Sequence, residues 1–241
     1  EGRVGEVYKK TVSPAAPIPF VPHAYQLSVD RRTIRRNPAL SALHDWLKVQ
    51  TAAGFVTRQE TVSMIPPVVL DPRPGDSVLD MCAAPGSKTS QMLEAVAVGC
   101  DAYEESGEPR GMVVANDSDP KRAYMLVHQL RRINSPCAFV CSCDAQFFPA
   151  LETAEERARG EEGTFDRVLC DVPCSGDGTV RKNPGVWRKW SQVGSLGLHS
   201  LQVSILMNGA RLAKVGGKIC YSTCSMNPVE NEAVVAEALR R

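Results

Sequence analysis

Long apolar runs are missing from this 241-residue chain. None approaches the ~18 to 20 residues a helix needs to cross a bilayer, so no membrane-spanning helix is expected. No signal-peptide pattern opens it either. The chain begins at Glu1 rather than Met and reads as a fragment of a longer protein. No internal repeat is present. Histidine is scarce, with four residues, all far in sequence from the cysteine pairs Cys137/Cys141, Cys170/Cys174 and Cys220/Cys224. Structural zinc favours closer ligand sets on tight turns, so no metal is expected. Nine cysteines, an odd count partly inside apolar strands, argue against a disulfide scaffold and for a reducing, intracellular compartment. Most of them read as buried small hydrophobes, with Cys174 and Cys224 excepted.

A large charge of one sign is also lacking, but the net of +1 hides an uneven layout. Segments 101–108 and 152–162 carry nine acidic residues and two arginines, a net of −7, and read as solvated loop insertions. The remainder is therefore +8, with doublets at Arg31-Arg32, Arg35-Arg36, Arg131-Arg132, Arg181-Lys182 and Arg188-Lys189. Such doublets permit a polyanionic partner without proving one. Those at 31–36 and 181–182 are expected on the same side as Cys224, as a phosphate track.

The composition, 43% hydrophobic, fits one well-packed domain with an accessory segment. Residues 1–56 read as an extended, proline-marked lead-in followed by a helix over 39–51, with Leu40, Leu43, Trp46 and Leu47 at helical spacing. Residues 57–241 read as the main domain. Thr57-Arg58-Gln59-Glu60 matches a capping box, so a helix is expected to start there and to kink or restart at Pro66-Pro67. From Asp76 the pattern alternates. Strands are expected at 77–81, 112–116, 137–141, 168–171 and 217–221, with helices at 87–98, 119–133, 195–213 and 228–239. Such alternation indicates an α/β fold, a parallel sheet with helices on both faces.

Two thiols then stand out. Asp171-Val172-Pro173-Cys174-Ser175-Gly176 and Ser222-Thr223-Cys224-Ser225 each follow a strand. Strand carboxyl ends face the ligand crevice in such sheets, so both cysteines are aimed at one pocket. A thiolate can add to an electrophilic carbon and later leave. The first strand runs into Asp80-Met81-Cys82-Ala83-Ala84-Pro85-Gly86-Ser87-Lys88-Thr89, a small-residue loop opening a helix. It is neither a P-loop, because Ser87 and Cys82 stand where glycines are required, nor a G-x-G-x-x-G fingerprint. Asp80, Asp117, Asp144 and Asp171 close four successive strands. That acidic rim suits an adenosine-bearing ligand with little phosphate, and S-adenosylmethionine, cationic at sulfur, suits it best.

These three motifs resemble the signatures of the NOL/NOP/Sun RNA cytosine-5 methyltransferases, over roughly residues 17–241. Thr57–Glu60 through Pro66-Pro67, Asn116-Asp117 and Gly178-Thr179-Val180-Arg181-Lys182-Asn183 resemble most closely that family's eukaryotic multisite tRNA branch. The resemblance implies a Rossmann-like class I S-adenosylmethionine-dependent methyltransferase fold with spatial strand order 3-2-1-4-5, here without its final two strands and with shortened terminal RNA-binding parts. It implies that Cys82, Ala83, Ala84, Pro85, Gly86, Ser87, Lys88, Asp117, Asp144 and Asp171 contact the cofactor. It implies that Cys224 is the nucleophile and that Cys174 assists release; spacing alone does not separate the two. It implies RNA, foremost tRNA, as partner, in the nucleus or nucleolus, with the cytoplasm also open; a monomer is expected. Asp171 can hydrogen-bond the cytosine edge. Lys88 can lower a nearby thiol pKa or hold the base; the plain alternative is a solvated lysine at a helix start. Trp187 and Trp190 can stack on RNA, but packing of their loop onto the sheet is the reading adopted. A silent RNA-binding scaffold and a methyltransferase for another nucleic-acid base are the alternatives; the retained thiols and cofactor loop speak against the scaffold.

Overall fold

The computed structural model describes residues 15–97, 111–151 and 163–241. The acidic segments 101–108 and 152–162 lie outside the described residues. The chain forms two compact units, Glu1–Val56 and Thr57–Arg241.

In the first unit, β1 (Ala16–Pro17) pairs antiparallel with β2 (Tyr25–Gln26). Helix α1 (Arg31–Arg36) follows, capped by Asp30, whose Oδ1 accepts from the N–H groups of Arg32 and Thr33 at 2.7 and 2.9 Å. The sequence reading missed both features, since a two-residue ladder and a six-residue helix are too short to impose a hydrophobic period. Helix α2 (Ser41–Ala52) lies where the apolar spacing put it and buries Leu47.

The second unit opens with a 3-10 turn at Thr61–Met64 and helix α3 (Ile65–Leu70). No helix starts at Thr57. Glu60 is extended, with φ −87° and ψ 139°, and its carboxylate pairs with Lys182 instead of capping. Pro66 and Pro67 explain the shift. They lack N–H groups and are tolerated only in a first turn, so α3 begins directly before them.

Five parallel strands then build the main sheet: β3 (Ser77–Asp80), β4 (Met112–Asn116), β5 (Ala138–Cys141), β6 (Phe165–Asp171) and β7 (Ala213–Ser222). Their order is β5-β4-β3-β6-β7, which is the expected 3-2-1-4-5 among themselves. Adjacent residues of one strand feed opposite cores. Val78, Val113 and Leu169 pack with Met92, Leu93 and Leu126 of helices α4 (Ser87–Ala97) and α5 (Pro120–Leu130). Leu79, Val114 and Val168 pack on the other face with Val203, Ile205 and Val234. Those come from α7 (Gln192–Leu212) and α8 (Glu232–Arg240); the short α6 (Pro184–Lys189) precedes them. Burial on both faces is why these strands read as short apolar runs. A Cβ at Gly209 would sit 2.8 Å from Cys170 Sγ and 3.0 Å from Met81 Sδ, so only glycine lets α7 approach the sheet this closely. Among the described residues, no helix is long and apolar enough to cross a membrane.

The last helix starts at Glu232, four residues later than expected. Residues 228–231 form a turn instead, because their side chains are engaged with the loop after β7.

Candidate active site

The pairing of Asp171 with Ser222 puts the ends of β6 and β7 side by side. The loops that follow bring Cys174 Sγ to 3.3 Å from Cys224 Sγ, and the Cys224 N–H points to Cys174 Sγ at 3.3 Å. The two sulfurs share one proton unequally. Cys224, the exposed member, is lowered from 9.0 to about 7; the hydrogen bond from Cys174 is the largest cause, and Lys182 adds to it against burial and Asp171. Cys174 is raised, because it keeps the proton that it donates to Cys224 and because it is partly buried. These opposite shifts favour the thiolate at Cys224, with Cys174 as its hydrogen-bond donor.

The Cys224 loop is held on several sides. Gly178 N–H donates to the Cys224 carbonyl at 3.0 Å, and Asp177 Oδ1 accepts from the Met226 N–H at 3.1 Å. Asn231 Nδ2 donates to the Ser225 carbonyl at 3.0 Å, and Thr223 Oγ1 donates to Asn231 Oδ1 at 2.6 Å.

Lys88 is not a solvated lysine. Its Nζ lies 2.6 Å from Asp171 Oδ2, with both side chains largely buried, and Ser222 Oγ donates to Asp171 Oδ1 at 2.7 Å. Lys88 is therefore the partner of Asp171, whereas the cation acting on Cys224 is Lys182. Sequence reasoning named both lysines but could not pair them.

Asp80, 1% exposed, accepts from Thr89 Oγ1 at 2.7 Å, while its Oδ1 has no partner. Burial raises its carboxyl to about 7, with Asp171 adding to the rise and Thr89 opposing it. Asp117 is 2% exposed. It accepts from the Ala84 N–H at 3.2 Å and pairs with Arg122, whose Nη2 also donates to the Ala84 carbonyl at 2.7 Å. Asp117 therefore braces the Cys82–Ser87 loop. Asn116, fully buried, ties the loop base together, its Nδ2 donating to the Met81 and Cys143 carbonyls at 3.0 and 2.9 Å. Asp144 is exposed and caps the turn Ala145–Phe147, accepting from the Gln146 N–H at 2.9 Å. Gly86 has φ +103°, and a Cβ there would sit 2.8 Å from Leu126 Cδ1. The glycine is thus demanded by backbone and helix packing.

One of the two tryptophans departs from expectation. Trp187, in α6, is 78% exposed, so its ring does not pack the loop onto the sheet, whereas Trp190, just after α6, is 43% exposed and more than half covered. An open cleft of ≈340 Å³ lies there, lined among others by Ser175, Asn183, Lys189, Trp190 and Ser195.

One residue escaped the sequence reading. Glu230, six positions after Cys224, is 0% exposed. Its only signal was an acid inside the turn Asn227-Pro228-Val229-Glu230-Asn231.

Residues 67–241 match the family model described as 16S rRNA methyltransferase RsmB/F. The chain is 52% identical over 225 residues to the tRNA (cytosine(34)-C(5))-methyltransferase of Drosophila melanogaster, covering 92% of this chain and 30% of that protein. It is 51% identical over 227 residues to the multisite-specific tRNA:(cytosine-C(5))-methyltransferase of Saccharomyces cerevisiae, covering 93% and 32%. The chain thus spans 30% to 32% of the length of these two relatives. Among solved structures, a methyltransferase homolog protein from Pyrococcus horikoshii is similar with a TM-score of 0.67 at 27% identity, over 98% of this chain and 64% of that one. The structure described as NSun6 from Pyrococcus horikoshii with SFG is similar in fold, with a TM-score of 0.63 at 23% identity, over 79% and 44%.

Proposed function

The chain belongs to the 16S rRNA methyltransferase RsmB/F family, and from that premise we propose that it methylates carbon 5 of cytosine in RNA, with tRNA as the substrate class. The observation that carries the reading is the pair of sulfurs 3.3 Å apart at the ends of neighbouring strands. Carbon 5 of cytosine is a poor nucleophile, and the site holds what is needed to change that.

Cys224, as thiolate, forms a bond to carbon 6, and the electron pair of the 5,6 double bond moves onto carbon 5. When bound, S-adenosylmethionine would supply the methyl group that carbon 5 takes, its sulfonium sulfur keeping the electron pair of the broken S–CH3 bond. Asp171 accepts from the cytosine amine, and its partner Lys88 puts a positive charge beside the electron-rich ring. The proton on carbon 5 then passes to solvent, which returns an electron pair to the 5,6 bond and breaks the bond from carbon 6 to Cys224. Cys174 donates its S–H to the departing thiolate, restoring the pair seen at rest.

The donor set fits the cofactor. Asp80 Oδ1 is a buried acceptor without a partner, and the carboxylates of Asp117 and Asp144 follow the neighbouring strands β4 and β5, an acceptor-rich set that suits hydroxyl and amine donors better than a phosphate. Asp117 and Asp144, at the ends of β4 and β5, are assigned to the ribose hydroxyls and the adenine amine. Trp187 and Trp190 are assigned to stacking on unpaired bases. Two free thiols in contact suit a reducing compartment, and the proposal extends to an intracellular, nuclear or nucleolar, setting. RNA binding is the work of Arg181, Lys182, Arg188 and Lys189, with the 31–36 arginines as further phosphate contacts.

The test is transfer of a labelled methyl group to a panel of tRNA, rRNA and DNA. Label on carbon 5 of tRNA cytosine is expected. Label in DNA alone, or S-adenosylmethionine binding without transfer to any nucleic acid, would refute the reading.

A further inference from the structure

Glu230 is a buried anion held entirely by neutral donors. Its Oε1 accepts from Ser175 Oγ at 2.5 Å, Ser195 Oγ at 2.6 Å and Ser225 Oγ at 2.9 Å. Its Oε2 accepts from the Ser175 N–H at 2.8 Å and Gln202 Nε2 at 3.0 Å. Burial would raise its carboxyl, but the hydrogen bonds from Ser175, Ser195 and Gln202 outweigh it and hold the group at about 2. Among the described residues it has no cationic partner within salt-bridge distance. A buried charge without a counter-ion is costly, and an apolar side chain could fill the same volume. What sets this one apart is where its donors sit.

Ser175 follows Cys174, and Ser225 follows Cys224. Gln202 Nε2 also donates to the carbonyl of Pro173, the residue before Cys174, at 2.9 Å. One carboxylate thus grips Cys174 on both sides and Cys224 on its far side. The two serine hydroxyls meet at 3.4 Å beneath the sulfurs' loops. Glu230 itself touches neither sulfur. Its backbone is fixed in turn, because Tyr221 Oη donates to its carbonyl at 2.6 Å.

We propose that Glu230 is a positioning residue that sets the Cys174–Cys224 contact, and through it the step in which Cys224 leaves carbon 6. The second half of that statement rests on the methyl-transfer reading above; the first half does not. The carboxylate suits the task chemically. Two oxygens accept five donors from three segments, which an amide cannot do with its single acceptor oxygen. Directed donors fix a loop register more tightly than apolar packing.

The test compares the parent protein with Glu230→Gln, which keeps the side-chain volume. Two readouts are taken. The first is the pH midpoint of Cys224 alkylation by iodoacetamide, which senses Cys174 together with Asp171 and Lys182, the other charged groups acting on Cys224. The second is steady-state methyl transfer with covalent adducts followed on a denaturing gel. The expected result is an upward shift of the midpoint, a fall in kcat of about ten-fold or more at nearly unchanged KM for RNA, and adduct that persists. A variant with lowered thermal stability but the parent's midpoint, kcat and adduct lifetime would overturn the proposal and leave Glu230 a structural residue. If Glu230→Gln does not fold, Ser225→Ala, which removes the hydrogen bond from the Cys224 loop to Glu230 and leaves the other four donors in place, is subject to the same two readouts and the same criterion. If the parent itself transfers no methyl group, the alkylation midpoint alone decides whether Glu230 couples the thiols, and only the activity reading fails.

Discussion

Replacing Cys174 by alanine isolates what the sulfur pair does. In the parent, Cys224 is lowered from 9.0 to about 7, chiefly by the hydrogen bond from Cys174. Without that donor, burial and Asp171 oppose ionisation, and only Lys182 and a hydrogen bond from the residue's own backbone N–H favour it. The thiol should return to its ordinary range. At pH 7 a thiol titrating near 7 is about half thiolate, and one titrating near 9 is about one part in a hundred. That sets a ceiling of about fifty-fold on the loss of alkylation rate. Cys224 is exposed, so solvent screening trims the effect, and about ten-fold is expected. The sign is definite: reactivity of the parent falls as pH drops through about 7, and reactivity of Cys174→Ala falls already at higher pH. The assay is the iodoacetamide rate across about pH 5 to 10, read at Cys224 by mass spectrometry. With cytosine-containing RNA the same variant should form adduct more slowly yet keep it longer, since the departing thiolate no longer has a donor. An unchanged midpoint would refute the shared-proton argument. A persistent adduct in Cys224→Ala but not in Cys174→Ala would reverse the two roles.

Asp117→Ala should weaken S-adenosylmethionine binding about ten-fold or more, since it removes an acceptor and frees Arg122 from its ion pair; unchanged affinity by calorimetry would contradict the ribose assignment. Lys88→Met should cost roughly 1 to 3 kcal/mol, between the values for exposed and fully buried pairs, and should depress methyl transfer; denaturation with wild-type stability would show that the 2.6 Å contact with Asp171 contributes little. Glu230 is held at about 2, below its ordinary 4.5, so its stabilisation is present above about 4.5 and lost as pH falls toward about 2. The stability gap between parent and Glu230→Gln should therefore narrow through that window, by an amount on the order of 3 kcal/mol, whereas a pH-independent gap would argue against a buried carboxylate. Neutralising Arg181 and Lys182 should flatten the salt dependence of RNA binding by about one unit for each phosphate left without its cation, and an unaltered slope would leave them as ordinary surface charge.

The strands were legible because parallel strands buried on both faces read as short apolar runs, most of them ending in a polar residue, whereas their spatial order followed from the family resemblance. Asp80 and Asp171 mark such ends directly, and Asn116 does so at β4. The start of α3 was legible in principle, since two prolines forbid a helix that runs through them, yet the capping-box pattern at Thr57–Glu60 read more strongly. Glu60 instead reaches Lys182, 122 positions away, and no local pattern carries that distance. The exposure of Trp187 and Trp190 was illegible for a similar reason. Whether an indole is covered depends on what the rest of the fold places over it, not on its neighbours in sequence.

By itself the sequence determined the inventory and its order: two cysteines after two strands, a small-residue loop after the first strand, and acids closing the strands. Those follow from local chemistry and from periodicities of two and 3.6 residues. Tertiary structure decided which groups meet. It brought Cys174 and Cys224 to 3.3 Å, gave Lys88 to Asp171 and Lys182 to Cys224, and buried Glu230 beneath both thiol loops. Proton sharing and ion pairing fall off over a few ångströms, so the separations along the chain, fifty residues for the sulfurs and 83 for Lys88 and Asp171, say nothing of them until the sheet has set its register.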